Sequence, residues 1–153
     1  MGNVSKPKSI HSVLFKLLAK RDYAKQELHT KLKALEYPES EIESALNQAQ
    51  QQNFINDHRF TENYIRQRSQ RGYGPVRIQA ELEAKGVDMD IILSLISTPL
   101  VWENLATTVR EKRFGKMIPK DYAEKAKQMR FLQYRGFTVE QISRKFFHNL
   151  EEN

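Results

Sequence analysis

Between Lys120 and Arg135 the chain interleaves cations with aromatic rings. On a helix, at roughly 100° per residue, Lys120, Lys127, Arg130, Phe131 and Tyr134 fall on one side, opposite Tyr122, Ala126, Met129 and Leu132. A face mixing cations with rings can hold phosphates and stack on bases, or lie in an acidic protein groove. Packing is the other account of Phe131 and Tyr134, as rings folded against the preceding part of the chain with the cations at the rim. A second stretch, a helix over 57–70, carries related groups. Phe60, Thr61, Tyr64 and Ile65 share one side with Arg68, while Arg59, Asn63, Arg66 and Gln70 take the other. Arg68 reads either as a partly buried arginine whose stem packs and whose fork meets a carboxylate, or as an anion contact at the helix edge. Arg59 and Arg66 point outward, to a partner or simply to water.

Groups for bond-making chemistry are sparse. Cysteine is absent, which excludes disulfides, thiol catalysis, thiolate-bound zinc and iron–sulfur clusters. The histidines, His11, His29, His58 and His148, show no i, i+4 pair of the kind that binds metal on a helix. Gly72-Tyr73-Gly74 has two glycines and no preceding strand, so it reads as a turn rather than a phosphate loop. Carboxylates lie mostly beside basic residues, and no Ser/His/Asp arrangement has local support. The expectation is a protein that is not an enzyme and uses no metal or cofactor.

The chain has 153 residues, the size of one ordinary domain. Its apolar share is 39%, slightly below the globular norm of about 45–50%, which favours an elongated or modular shape over a ball. Net charge is +6 and unevenly spread: residues 110–135 hold nine basic groups against three acidic ones. Such a surface suits a nucleic-acid backbone or an acidic protein. No apolar run approaches the roughly 20 residues of a membrane span. Lys6 and Lys8 precede no apolar stretch of signal-peptide length, so a cytoplasmic protein without a membrane partner is expected.

Good helix formers dominate and apolar residues recur at three and four, which predicts an all-α chain. The apolar pattern also repeats at an offset of fifty residues. Leu32, Leu82 and Leu132 align, as do Ile42, Ile92 and Ile142, and Leu46, Ile96 and Phe146. Leu14, Tyr64 and Phe114 align, and so do Tyr23 and Tyr73. The turn Lys85-Gly86-Val87 matches Arg135-Gly136-Phe137. The third copy is looser, with Gln128 where Leu28 and Ile78 stand. Each copy divides into three short helices, too short to persist alone, so the copies must stack. The expected segments are a tail over 1–9 and repeats over 10–53, 54–99 and 100–149.

Helix ends follow from capping residues. The first repeat is expected to hold helices over 12–20, 23–35 and 39–51, with Asp22 capping the second and Pro38 in the first turn of the third. In the second, Asn56 or Asp57 caps a helix to Gln70, Pro75 opens one that runs to Lys85, and Asp88 caps one over 89–96. Ser97-Thr98-Pro99 then closes that repeat. In the third, helices are expected over 102–114 and 120–135, with a last one reaching Asn149 behind the capping box Thr138-Val139-Glu140-Gln141. Trp102 is expected to fill the seam between the second and third repeats.

Four segments together resemble the RecX family, bacterial regulators of the recombinase RecA. The longest is Arg71-Gly72-Tyr73-Gly74-Pro75-Val76-Arg77-Ile78-Gln79-Ala80-Glu81-Leu82-Glu83-Ala84-Lys85-Gly86-Val87. The others are Lys20-Arg21-Asp22-Tyr23 followed by Glu27-Leu28 and Lys31-Leu32; Phe54 to Phe60; and Arg130 to Phe137. The resemblance covers about residues 10–147. It implies tandem three-helix repeats in a curved, modular protein that binds in the groove of the RecA filament on single-stranded DNA. Strand exchange and coupled ATP hydrolysis then fall. Some members bind DNA directly, so single- or double-stranded DNA is an additional expected partner. No catalytic residues come with the family. From surface position, Arg59, Arg66, Arg71, Lys120, Lys127 and Arg130 are the expected contacts to filament acids or DNA phosphates. A monomer is expected. The rival readings are a general DNA-binding helical module that occupies single strands, and an adaptor for another acidic protein.

Overall fold

The computed structural model describes residues 9–97 and 99–146. Among them the chain is helical and contains no strand. The elements are α1 (Ile10–Lys20), α2 (Lys25–Ala34), α3 (Glu39–Gln51), α4 (Asp57–Gln70), α5 (Pro75–Ala84), α6 (Met89–Ile96), α7 (Pro99–Phe114), α8 (Tyr122–Tyr134) and α9 (Val139–Phe146). None is long and apolar enough to cross a membrane. The expected tail, Thr98 and the extension of α9 to Asn149 fall wholly or mostly outside the described residues.

Most helix starts are set by side chains that take up orphaned N–H groups. Ser9 accepts from the Ser12 N–H at 3.2 Å, so α1 begins two residues before its expected start. Asn56 accepts from the Arg59 N–H at 3.0 Å and caps α4. Thr138 and Gln141 exchange bonds of 3.0 and 3.1 Å, the expected capping box. Asp88 stands at the N-cap of α6, without a side-chain bond.

Three further expected starts need correction. Asp22 does not cap α2. Tyr23 and Ala24 are buried ahead of the helix, and Glu27 reaches back to the Ala24 N–H at 3.0 Å. Pro99 opens α7 rather than closing the repeat before it, since proline lacks the N–H that the first helical position leaves unused. The helix α8 starts at Tyr122, because Asp121 accepts from the Ala123 N–H at 3.2 Å.

The fifty-residue repeat is a repeat of the core. Leu32, Leu82 and Leu132 are wholly buried, as are Ile42, Ile92 and Ile142. It extends to the backbone. Glu36, Gly86 and Gly136 each adopt positive φ (68°, 79° and 106°) two positions past the last residue of α2, α5 and α8. This left-handed residue ends each helix, and two residues on stand the N-caps Pro38, Asp88 and Thr138. The first repeat spends a glutamate on a conformation that costs any residue with a Cβ, which is why its turn has no glycine to mark it.

Contacts divide the chain into two compact units, residues up to Phe60 with Lys85–Val87, and Thr61–Ala84 with the remainder from Asp88. In the first, α1, α2 and α3 bury Leu14, Tyr23, Leu28, Leu32, Ile42 and Leu46 around one core. Glu27 is its charged centre, 3.2 Å from Arg21 and 3.1 Å from Lys85. Burial alone would raise its pKa, but hydrogen bonds from Arg21, the Ala24 N–H and Lys85 outweigh that and hold the carboxyl below its ordinary value.

In the second unit Ile78, Leu82, Ile92, Ile96, Ala106, Leu132 and Ile142 are buried. Trp102 is buried too, and its indole N–H donates to the Ile96 carbonyl at 2.7 Å, at the seam where it was expected. The start of α5 is fastened to the end of α8 through the backbone. Gly74 N–H donates to the Arg135 carbonyl at 2.8 Å and Val76 N–H to the Gly136 carbonyl at 2.9 Å. A Cβ on Gly74 would lie 2.5 Å from Gly136 backbone atoms, so this approach admits only glycine.

The third repeat has a polar pair in its core. Arg110 is wholly buried and donates to the Gln128 amide oxygen at 3.2 Å. One and two repeats earlier these positions hold Phe60 with Ile78 and Ile10 with Leu28, all apolar and buried. Desolvation holds the Arg110 pKa below its ordinary value, partly offset by Glu111. This pair also corrects the expected face of α8. The residues buried along it are Gln128 and Leu132, whereas Tyr122, at the exposed first position, is 73% accessible.

Candidate partner-binding surface

The second unit gathers arginines onto aromatic rings. Around Tyr73, just ahead of α5, the guanidinium carbons of Arg68, Arg77 and Arg135 lie 4.0, 4.5 and 5.1 Å from the ring centroid. Arg68 is half-buried and pairs with Glu81 at 2.9 Å, the packing account of this residue. Glu81 also accepts the Tyr64 hydroxyl at 2.6 Å and lies 3.6 Å from Arg77. Burial pushes the Glu81 pKa up, but the bonds from Tyr64 and Arg68 and the charges of Arg68 and Arg77 prevail and hold it low. One carboxylate thus anchors two of the three arginines on the Tyr73 ring.

Beside this cluster runs a groove of about 410 Å³ whose lining includes Arg71, Lys112, Arg113, Phe131 and Arg135, and no carboxylate. Phe131 meets Phe114 edge-on at 5.3 Å, so one of the two candidate rings packs. Arg113 and Arg135 lie 5.8 and 5.4 Å from its centroid. Tyr134 does the opposite and stays 80% exposed. Three helices end near this groove, α4, α7 and α8. Each C-terminus carries roughly half a negative charge, about one and a half in total against four cations. The groove therefore keeps a positive surplus. Guanidinium planes seated against rings are fixed in place, and their forks can take phosphate or carboxylate oxygens two at a time.

The six residues expected from sequence are distributed differently. Arg71 is exposed and lines the groove. Lys127 and Arg130 are exposed along α8, and Lys120 is exposed in the loop before it. Arg66 is exposed and bonds to the Asn63 side chain. Arg59 is half-buried and donates to the carbonyls of Asn53 (3.2 Å) and Phe54 (3.4 Å), so it serves the turn after α3. Lys112, Arg113 and Arg135 were missed, although all lie in the basic stretch 110–135 that the charge count marks.

Three family models match this chain in order: the first three-helix domain of RecX over residues 13–48, the second over 56–93 and the third over 103–146. Among curated relatives, the regulatory protein RecX of Legionella pneumophila (strain Corby) is 41% identical over 132 residues, covering 86% of this chain and 88% of that one. That of Vibrio campbellii is 41% identical over 128 residues, covering 83% of each chain. That of Pseudomonas entomophila is 37% identical over 139 residues, covering 90% of each. The fold matches the crystal structure of RecX from Lactobacillus salivarius with a TM-score of 0.78 at 23% identity, over 94% of this chain and 96% of that one. With three consecutive three-helix domains matched and relatives of this identity along most of its length, the chain belongs to the RecX family of regulatory proteins.

Proposed function

We propose that this protein is a negative regulator of the RecA recombinase, binding in the groove of the RecA filament on single-stranded DNA and lowering strand exchange and coupled ATP hydrolysis. The observation that carries the reading is the positive groove lined by Arg71, Lys112, Arg113 and Arg135, with no acid in its lining. Lys120, Lys127 and Arg130 extend the exposed positive charge. A filament offers phosphates and acidic side chains along one furrow, and several weak contacts on one chain add through effective concentration. Arg59 is occupied by backbone carbonyls and contributes least.

Tyr134, exposed and able to stack on a base, supports a second reading, a general module that occupies single strands. The ATPase of preassembled recombinase filaments separates the two. Inhibition that persists with excess competitor single-stranded DNA supports filament binding. Inhibition abolished in proportion to competitor supports the DNA module instead.

A further inference from the structure

The loop between α7 and α8 holds apolar side chains out in water. Met117 is 85% exposed, Ile118 51%, and Tyr122 at its far end 73%. Large apolar groups grouped on a surface mark an interaction site more often than a packing accident. The backbone of this loop is also gripped. The buried guanidinium of Arg110 donates to the carbonyls of Lys116 and Met117, each at 3.4 Å, besides Gln128. Burying a charge is costly, and well-packed apolar groups are often as stable or more so. The same fold uses apolar residues at these positions in its other two repeats. In the third, a polar pair stands there and ties down the loop.

Basic residues flank the apolar tip along the chain. Lys112, Lys116 and Lys120 are all exposed, while the adjacent carboxylate, Asp121, is engaged in capping α8.

We propose that this loop is a protein-docking anchor: Met117 and Ile118 enter an apolar pocket on a partner protein whose acidic rim meets Lys112, Lys116 and Lys120. The inference rests on the proposed function in taking the recombinase filament as that partner. Aliphatic side chains gain nothing from phosphates, and a single strand has no fixed base step for them to enter. Methionine fits irregular pockets well. Holding the loop in place beforehand lowers the ordering cost of binding, and that is the task of Arg110.

The test is a Met117→Ser/Ile118→Ser variant, whose exposed positions leave the core intact. Its binding to preassembled RecA filaments is measured beside binding to bare single-stranded DNA, duplex DNA and anionic vesicles. Filament affinity is expected to fall about thirtyfold, the loss that marks a docking hot spot, with the other three unchanged. A second variant, Arg110→Ile/Gln128→Leu, installs the core residues of the first repeat and releases the loop. It is expected to stay folded and bind filaments severalfold more weakly. Unchanged filament affinity in the serine variant overturns the proposal. So does a parallel loss of duplex or vesicle binding, which identifies a DNA wedge or a membrane contact. If the unaltered protein fails to bind filaments at all, the proposed function falls first, and that result is distinct from a loss confined to the loop variants.

Discussion

The carboxylate of Asp57 accepts the backbone N–H of Lys25 at 2.9 Å, across 32 residues of chain. A residue at the first position of α4 thereby satisfies the first donor of α2, within one unit. Replacing Asp57 with alanine is expected to cost about 1 kcal/mol, the usual loss for a missing cap. Asparagine keeps an acceptor and should recover most of it. Urea unfolding of the two variants checks this, and equal stability for alanine and the parent would remove the cap from the account.

Gln128 shares the core with Arg110, whose guanidinium donates to its amide oxygen at 3.2 Å. A Gln128→Leu variant leaves a buried guanidinium short of one acceptor and should lose about 3 kcal/mol. Adding Arg110→Ile should recover most of that, since Ile10 and Leu28 are both buried in the core of the first repeat. Thermal melts of both single variants and the double give the coupling between the two sites. Additive losses would show that they are energetically independent.

Acid should destabilise both units through identified carboxylates. Glu27 and Glu81 titrate lower in the folded chain than their ordinary value. Each therefore contributes stability that is fully present above the unfolded pKa of about 4.3 and is lost as pH falls through the folded value. Glu27→Gln and Glu81→Gln should be less stable at pH 7 and show a flatter decline below about pH 4. Denaturant midpoints measured against pH decide this, and a decline as steep as the parent's would assign the acid sensitivity elsewhere.

Charge reversal separates the groove from the outer face of α8. Lys112→Glu/Arg113→Glu, both exposed, should weaken filament binding without unfolding the protein. If these residues meet single-strand phosphates, the slope of log affinity against log salt should become shallower by about 0.7 for each phosphate that is no longer neutralised. Lys127→Glu/Arg130→Glu tests the other surface by the same titration. Inhibition unchanged in the second pair would take Lys127 and Arg130 out of the interface.

Much of the fold was legible because helical spacing and its fifty-residue recurrence depend on which residues must be buried. Leu82 and Ile92 share the fate of Leu32 and Ile42, since each repeat faces the same problem of covering a short apolar stripe. Local caps such as Thr138 with Gln141 were legible too, because their partners lie one turn apart. Spacing could not show partners from distant parts of the chain. Asn56 and Asp57 are both candidate caps of α4 by spacing; Asn56 takes that role, and Asp57 serves α2. Gly72-Tyr73-Gly74 forms the turn that its glycines announce, but only folding shows that Gly74 also permits the contact between α5 and α8. The positive groove joins Arg71 to Arg113 and Arg135, and only folding brings residues so far apart in the chain to one place. Sequence by itself determined the helices, the repeat and the family. Tertiary structure decided which cations share a surface and which, like Arg59 and Arg110, turn inward to hold the backbone.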